Sequence, residues 1–233
     1  RHIIGTGKVL GILPLGTMNR LARDLEIPLS PHAAAHFVAA EAEPRPMDAA
    51  TVNGTLFLCN SIMGATLRYS LGRALLRGRS AAIRLPRYVS IFREILASRR
   101  KLSIVVDSGD ERIRVRALSL AVTNNGYDET MSWFRRPHLT SGKLTLYVSK
   151  HQSGFGLAMA LLRACVGRWH GDPEMLKLSA SELVIHTKGK RRRLSNDGEL
   201  ARFDTPLHYK SVPKALTVLM SPQRAMGSEP ISR

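Results

Sequence analysis

Asn53-Gly54, set between the apolar runs Ala49–Val52 and Thr55–Asn60, is the feature that most constrains how this chain can fold. A two-residue turn with positive φ at both central positions reverses a strand within the shortest length of chain, and Asn-Gly adopts it with little strain. Short apolar runs of the same kind follow at Leu102–Asp107, Arg112–Arg116, Leu118–Thr123, Lys143–Val148, Leu176–Leu178, Leu183–Thr187 and Leu207–Val212. Asp107-Ser108-Gly109-Asp110 and Lys188-Gly189-Lys190 supply turns between several of them. Many short strands at close spacing predict an antiparallel sandwich. Two helical regions interrupt the series: a basic one from Ser70 to Arg100, expected to break at Pro86, and an apolar one from Gly154 to Trp169. A last strand, Ala215–Met220, follows Val212-Pro213.

The first residues have a different character. A strand over Val9–Leu13 runs into Pro14-Leu15-Gly16-Thr17-Met18-Asn19, then a helix over Asn19–Leu25 and a second over Pro31–Ala42. Ser30 is placed to cap the second helix, with Pro31 at its first position. Such a piece cannot form a sheet by itself and reads as the tail of an α/β unit. A strand, a glycine turn and a helix N-terminus make a place to hold phosphate, because backbone N–H groups point outward there. Thr17 adds a hydroxyl donor, while Asn19 suits a cap or a nucleotide contact. An ordinary strand-to-helix turn explains the same residues.

A second constellation is Asp197-Gly198-Glu199, after Ser195-Asn196. On an extended strand the two carboxylates point to one side, and the glycine permits close approach of a ligand. Paired carboxylates suit a general base beside a metal-bound phosphate, whereas Asp-Gly is also a common solvated hairpin turn.

Length and charge bound the rest. The chain's 233 residues can bury one large core or two modest ones. With 35 Lys and Arg against 18 Asp and Glu the net charge is +17, a field that favours anionic surfaces and that basic solvent faces explain equally. The arginines lack interleaved aromatics, which argues against nucleic acid. No apolar run reaches the roughly 18 residues that span a bilayer, so Phe155–Leu162 reads as a buried or interfacial helix. Cys59 and Cys165 are expected to be core thiols, and no zinc-ligand spacing occurs. His138, His151, His170 and His186 have no partner spacing and read as structural.

Pro14-Leu15-Gly16-Thr17-Met18-Asn19, the short Ala- and Arg-bearing helix after it and the Ile27-Pro28 exit resemble the second nucleotide loop of the diacylglycerol kinase catalytic domain family. That family includes bacterial lipid kinases and sphingosine kinases, with a more distant likeness to NAD kinases. Asp197-Gly198-Glu199, Thr205-Pro206 and Pro213-Lys214-Ala215-Leu216 resemble its closing signature, so the likeness extends from Leu10 to about Met220. It implies an α+β chain. Residues 1–46, completed by about 211–222, are the remnant of an α/β ATP-binding domain; 47–210 form an antiparallel β-sandwich lipid-substrate domain with inserted helices, and 223–233 a loose tail.

The resemblance implies an ATP-dependent lipid kinase that moves the γ-phosphate of ATP, as its Mg²⁺ complex, to a lipid hydroxyl such as that of diacylglycerol or a sphingoid base. Glu199 inherits the role of base toward that hydroxyl, and Asp197 that of orienting it or standing near the nucleotide's Mg²⁺. Gly16, Thr17 and Asn19 inherit nucleotide contacts. The Asn124-Asn125-Gly126-Tyr127 stretch matches a family loop near the lipid pocket, and a plain turn explains it as well. Two departures qualify the likeness. The family's first loop, Gly-Gly-Asp-Gly-Thr, lies well before the position of Pro14, and the chain opens too late to include it. Half of a nucleotide site, binding ATP poorly, is therefore expected. Where bacterial relatives hold a structural Mg²⁺ with an Asp, Thr140-Ser141-Gly142-Lys143-Leu144 offers a serine, so that metal site is expected to be absent or weak. A non-catalytic lipid-binding or regulatory module of the same fold is the alternative. The expected location is cytoplasmic and peripheral to an anionic membrane surface, on which the Arg73–Arg100 face could dock. Lys188–Arg193 reads as a charged hairpin, near enough to Asp197 to attract phosphate.

Overall fold

Two long strands, β2 (Glu43–Val52) and β13 (Leu207–Met220), pair antiparallel along most of their length and serve two separate hydrophobic cores. The structure is a computed structural model and describes residues 3–16, 18–67, 81–98, 100–109, 111–129 and 134–222. Before β2 come β1 (Val9–Leu10), α1 (Arg20–Asp24) and α2 (Pro31–Ala40). After it come β3 (Thr55–Phe57), β4 (Asn60–Gly64), α3 (Ala81–Leu96), β5 (Leu102–Asp107), β6 (Arg112–Ala117), β7 (Ser119–Asn124) and β8 (Leu144–Ser149). Then follow α4 (Gly154–Cys165), β9 (Met175–Ala180), β10 (Glu182–Thr187), β11 (Arg191–Asn196) and β12 (Glu199–Asp204), leading into β13.

One sheet has the order β3-β2-β13-β10-β5-β6, with β1 joined parallel to β13 at Thr217 and Val218. The other has the order β12-β11-β4-β7-β8-β9. Their inner faces enclose the larger core, where Val52, Phe57, Ile104, Val122, Leu146 and Tyr209 are buried. This is the predicted sandwich within an α+β chain. The Asn53-Gly54 turn is as expected, with φ of 45° and 74°.

The smaller core lies at the other end of the same two strands. Met47, Leu216, Val218 and Met220 pack there against Ala22, Leu25, Ile27 and Ala34 of the α1–α2 region. The change of core falls at a bulge: Val212 pairs with Ala49 and Leu216 with Met47, so residues 213–215 stand opposite Asp48 alone. Lys214 takes φ 48°, and its N–H donates to Asp48 Oδ1 at 2.8 Å. Gly142 N–H donates to Asp48 Oδ2, also at 2.8 Å. A fully buried carboxylate thus satisfies the Lys214 amide of the bulge and ties the bulge to Gly142. The two strands expected at 207–212 and 215–220 are accordingly one strand.

Other expectations need correction. The first strand stops at Leu10, because Pro14 has no N–H to offer and Leu15 N–H turns back to Leu13 C=O at 2.9 Å. The helix over the basic region does not break at Pro86 but runs through it from Ala81 to Leu96. Pro86 is exposed there, while Ile91 and Ile95 anchor the rest of the helix. Arg73, Arg77, Arg79 and Arg99 lie outside the described residues. The apolar helix ends at Cys165, short of Trp169, and Ser153 caps its start by accepting from Gly156 N–H at 3.2 Å. Strands β11 and β12 escaped the sequence reading because they form the charged margin of a sheet, where charged residues replace the apolar pattern.

Candidate functional site

Asp197 and Gly198 form the two-residue turn between β11 and β12, with φ of 51° and 94° and Asn196 paired to Glu199. Asp197 is therefore not on an extended strand beside Glu199, as the i, i+2 spacing suggested; the positive φ turns its side chain away. Its Oδ1 accepts from the N–H groups of Cys59 at 2.7 Å and Asn60 at 3.0 Å, and its Oδ2 from Leu58 N–H at 2.6 Å. Charge-assisted bonds to three successive amides make Asp197 the anchor of the β3–β4 connection. Truncating it to Ala leaves those amides without their acceptor, which is expected to cost about 1–3 kcal/mol on chemical denaturation. A loss within experimental error would contradict the anchoring role.

Arg136 grips the other side of the same connection. Its Nη1 donates to Leu58 C=O at 2.7 Å and to Asn124 C=O at 2.8 Å, while its Nε donates to Asp24 Oδ2 at 2.8 Å. Asp24 and Arg136 are almost wholly buried, joining α1 to the sandwich. Burial opposes the charge on Arg136, but Asp24 and Cys59 outweigh it and its pKa is raised.

Asn60 extends the network toward the first residues of the chain. Its Nδ2 donates to Tyr127 Oη at 3.0 Å, and Arg20 Nη2 donates to the same oxygen at 2.7 Å. The Arg20 guanidinium also lies over the Tyr127 and Phe134 rings, at 5.2 and 5.5 Å from their centroids. Tyr127, Phe134, Tyr147 and Trp169 form one aromatic cluster behind it. The residue after the Pro14–Asn19 loop is thus linked, through Tyr127 and Asn60, to the Asp197 turn.

The loop itself is closed by Asn19. Its Oδ1 accepts from Gly16 N–H at 2.7 Å and its Nδ2 donates to Pro14 C=O at 3.0 Å. Asn19 takes φ 48° and makes no side-chain cap to α1. Thr17 lies outside the described residues. With the Gly16 N–H taken by the Asn19 side chain, and only five residues in α1, the described part of the loop does not by itself fit a phosphate cradle.

Glu199 is exposed at the start of β12. The β11–β12 register places it opposite Asn196, two residues along from Leu194, whose side chain is in the sandwich core. Glu199 therefore sits at the mouth of the space between the sheets. Asn196 is buried beside it, and neither of its amide atoms has a hydrogen-bond partner among the described residues. The sequence reading gave no role to Arg136 or Asp24, and met Asn196 and Tyr127 only as neighbours of Asp197 and of the Asn124-Asn125-Gly126 turn. The Ser141 hydroxyl, in the stretch compared with a metal site, donates to Asn125 Oδ1.

Both cysteines are free. Burial pushes the Cys59 thiol up to about 12, against the opposing charge of Arg136. Burial also raises the Tyr147 and Tyr209 phenols. The folded chain keeps protons that the unfolded chain releases, so stability is full below a free thiol's pKa and falls as pH rises from about 9 toward 12. Denaturation midpoints measured across that window are expected to decline steadily, and a flat profile would contradict it.

Residues 3–52 match the model of the diacylglycerol kinase catalytic domain family. The match includes the Pro14–Asn19 loop and stops before the Asp197 turn. Over 92% of its length the chain shares its fold with the crystal structure of a diacylglycerol kinase from Bacillus anthracis str. Sterne, at TM-score 0.64 and 17% identity, covering 68% of that chain. Two provisionally designated diacylglycerol kinases from the same strain match at TM-scores 0.68 and 0.67, each at 19% identity and 70% of their length. The likeness read from the motifs thus recurs in the sequence of residues 3–52 and in the fold of most of the chain. No described helix is long and apolar enough to cross a membrane.

Proposed function

We propose that the chain is the acceptor-binding part of an ATP-dependent lipid kinase that phosphorylates a lipid hydroxyl such as that of diacylglycerol or a sphingoid base. One observation carries the reading: the two motif segments of the family, nearly 180 residues apart, are tied into one network running from Arg20 through Tyr127 and Asn60 to Asp197. A turn fixed so firmly holds Glu199 in a set place at the mouth of the sandwich, which is what a general base requires.

In this reading Glu199 takes the proton of the acceptor hydroxyl as the hydroxyl oxygen bonds to the γ-phosphorus of ATP and the bond from that phosphorus to the departing ADP oxygen breaks. Asp197 is a positioning residue that keeps the turn in register, and Asn196 offers its amide to the polar end of the acceptor. ATP with Mg²⁺ is the phosphoryl donor, but the described residues of the Pro14–Asn19 loop do not fit its phosphates, so no step is assigned to them. Lipid-dependent release of ADP, followed in the enzyme expressed from the complete gene, tests the reading. Stimulation by diacylglycerol or sphingoid base supports it. Lipid binding with no ADP formation would instead identify a non-catalytic module.

A further inference from the structure

Strand β6 ends its sheet: it pairs antiparallel with β5, and no described strand lies on its other side. Alternate N–H and C=O groups along it therefore face away from the sheet with no strand to meet them. Its inner face carries Ile113 and Val115, both half-buried, and its outer face Arg112, Arg114 and Arg116, all exposed. None of the three arginines makes an ion pair among the described residues. Arg112 stands across from Asp107, whose carboxylate accepts instead from Gly109 N–H at 2.9 Å. Elsewhere on the sheets Lys210 is paired with Glu182 at 2.6 Å and Arg191 with Asp204 at 2.7 Å. Asn53, after β2, donates to Asp204 C=O of β12, and Tyr209 of β13 meets Ser61 of β4, so β6 and β9 share the opposite margin of the sandwich. That margin is open: Leu102, Val115, Leu176, Leu178 and Ala180, on β5, β6 and β9, pack against the large core yet are only partly buried.

We propose that β6 is a docking edge for an extended acidic segment of a partner protein, which adds to the sheet as a further strand with Asp or Glu at alternate positions. Main-chain hydrogen bonds to the free edge hold it. Its carboxylates stand on the outer face beside the three arginines, and its apolar side chains, pointing the other way, cover Ile113 and Val115 at the open margin. Charge decides between occupants. Residues directly opposite on paired strands share a face, so a second copy pairing through β6 would set arginine against arginine. The same three charges turn away another copy and admit an acidic strand. The inference does not depend on the lipid-kinase reading, since β6 and the Asp197 turn lie in different sheets at opposite margins.

Fluorescence anisotropy of the full chain with a labelled synthetic peptide of alternating valine and glutamate, as long as β6, tests it. Two control peptides accompany it: one with lysine in place of glutamate, and one that keeps the glutamates but has proline for a central valine and so cannot complete the ladder. Binding is expected for the alternating glutamate peptide, and amide hydrogen exchange within residues 112–117 is expected to slow when it binds. Arg114→Glu with Arg116→Glu is expected to weaken binding on the order of tenfold, as two cross-strand attractions become repulsions. Both side chains are exposed, so the melting temperature should shift no more than for ordinary surface substitutions. The proposal is overturned if the glutamate peptide does not bind, if either control peptide binds equally well, or if the double variant binds normally. Slowed exchange only outside β6, or a concentration-dependent dimer that protects the same residues, would also overturn it.

Discussion

Glu199→Gln, in the enzyme expressed from the complete gene, is expected to lower kcat for lipid phosphorylation by roughly 100- to 10,000-fold, the range that a positioned general base contributes. The amide keeps the size and polarity of the side chain but cannot accept the hydroxyl proton. Glu199 is exposed on an edge strand, so the chain should still fold and the melting temperature should shift no more than for an ordinary surface substitution. The acceptor KM should move little, since the proton is taken only as the reaction proceeds. Asp197→Ala is expected to behave differently, losing rate and stability together, because its carboxylate holds the backbone of residues 58–60 and not the substrate. A Glu199→Gln enzyme of near normal kcat would remove Glu199 from the chemistry.

The largest stability effect is expected at Arg136. Arg136→Met leaves the Asp24 carboxylate buried without its partner and deprives Leu58 and Asn124 of a donor. Breaking a buried pair from one side costs about 3–5 kcal/mol. For a chain of this size that is a fall in melting temperature on the order of 10 °C. The double variant Asp24→Leu, Arg136→Met should lose less than Arg136→Met alone, because no uncompensated charge then remains inside. A single variant within 1 kcal/mol of wild type, on the scale of ordinary surface substitutions, would show that the pair is not holding α1 to the sandwich.

How far these features can be read from the residues follows from the distance over which they act. The Asn53-Gly54 and Asp197-Gly198 turns are local, and both are visible as dipeptides because only a few residue types tolerate positive φ. Asn19 is local too, but a side chain able to cap a helix reaches back to Gly16 and Pro14 instead. The Asp197 anchor is invisible in sequence, since the amides it binds belong to residues 58–60. Asp24 and Arg136 are likewise far apart in the chain and meet only when α1 docks. Tyr127 gave an ambiguous signal, a turn residue whose hydroxyl became the meeting point of Arg20 and Asn60. The free edge of β6 had the same limit: alternation shows that a strand exists, and only neighbouring elements decide whether its edge is covered.

The central claim, that Glu199 serves phosphoryl transfer to a lipid hydroxyl, is tested most directly by following the terminal phosphate of labelled ATP into the lipid extract. Wild-type enzyme from the complete gene and Glu199→Gln should be incubated side by side with diacylglycerol or sphingoid base. Label in a phosphorylated lipid with wild type, and its near absence with Glu199→Gln, is the predicted result. Label that stays out of every lipid with wild type, or enters lipid equally with Glu199→Gln, would contradict it.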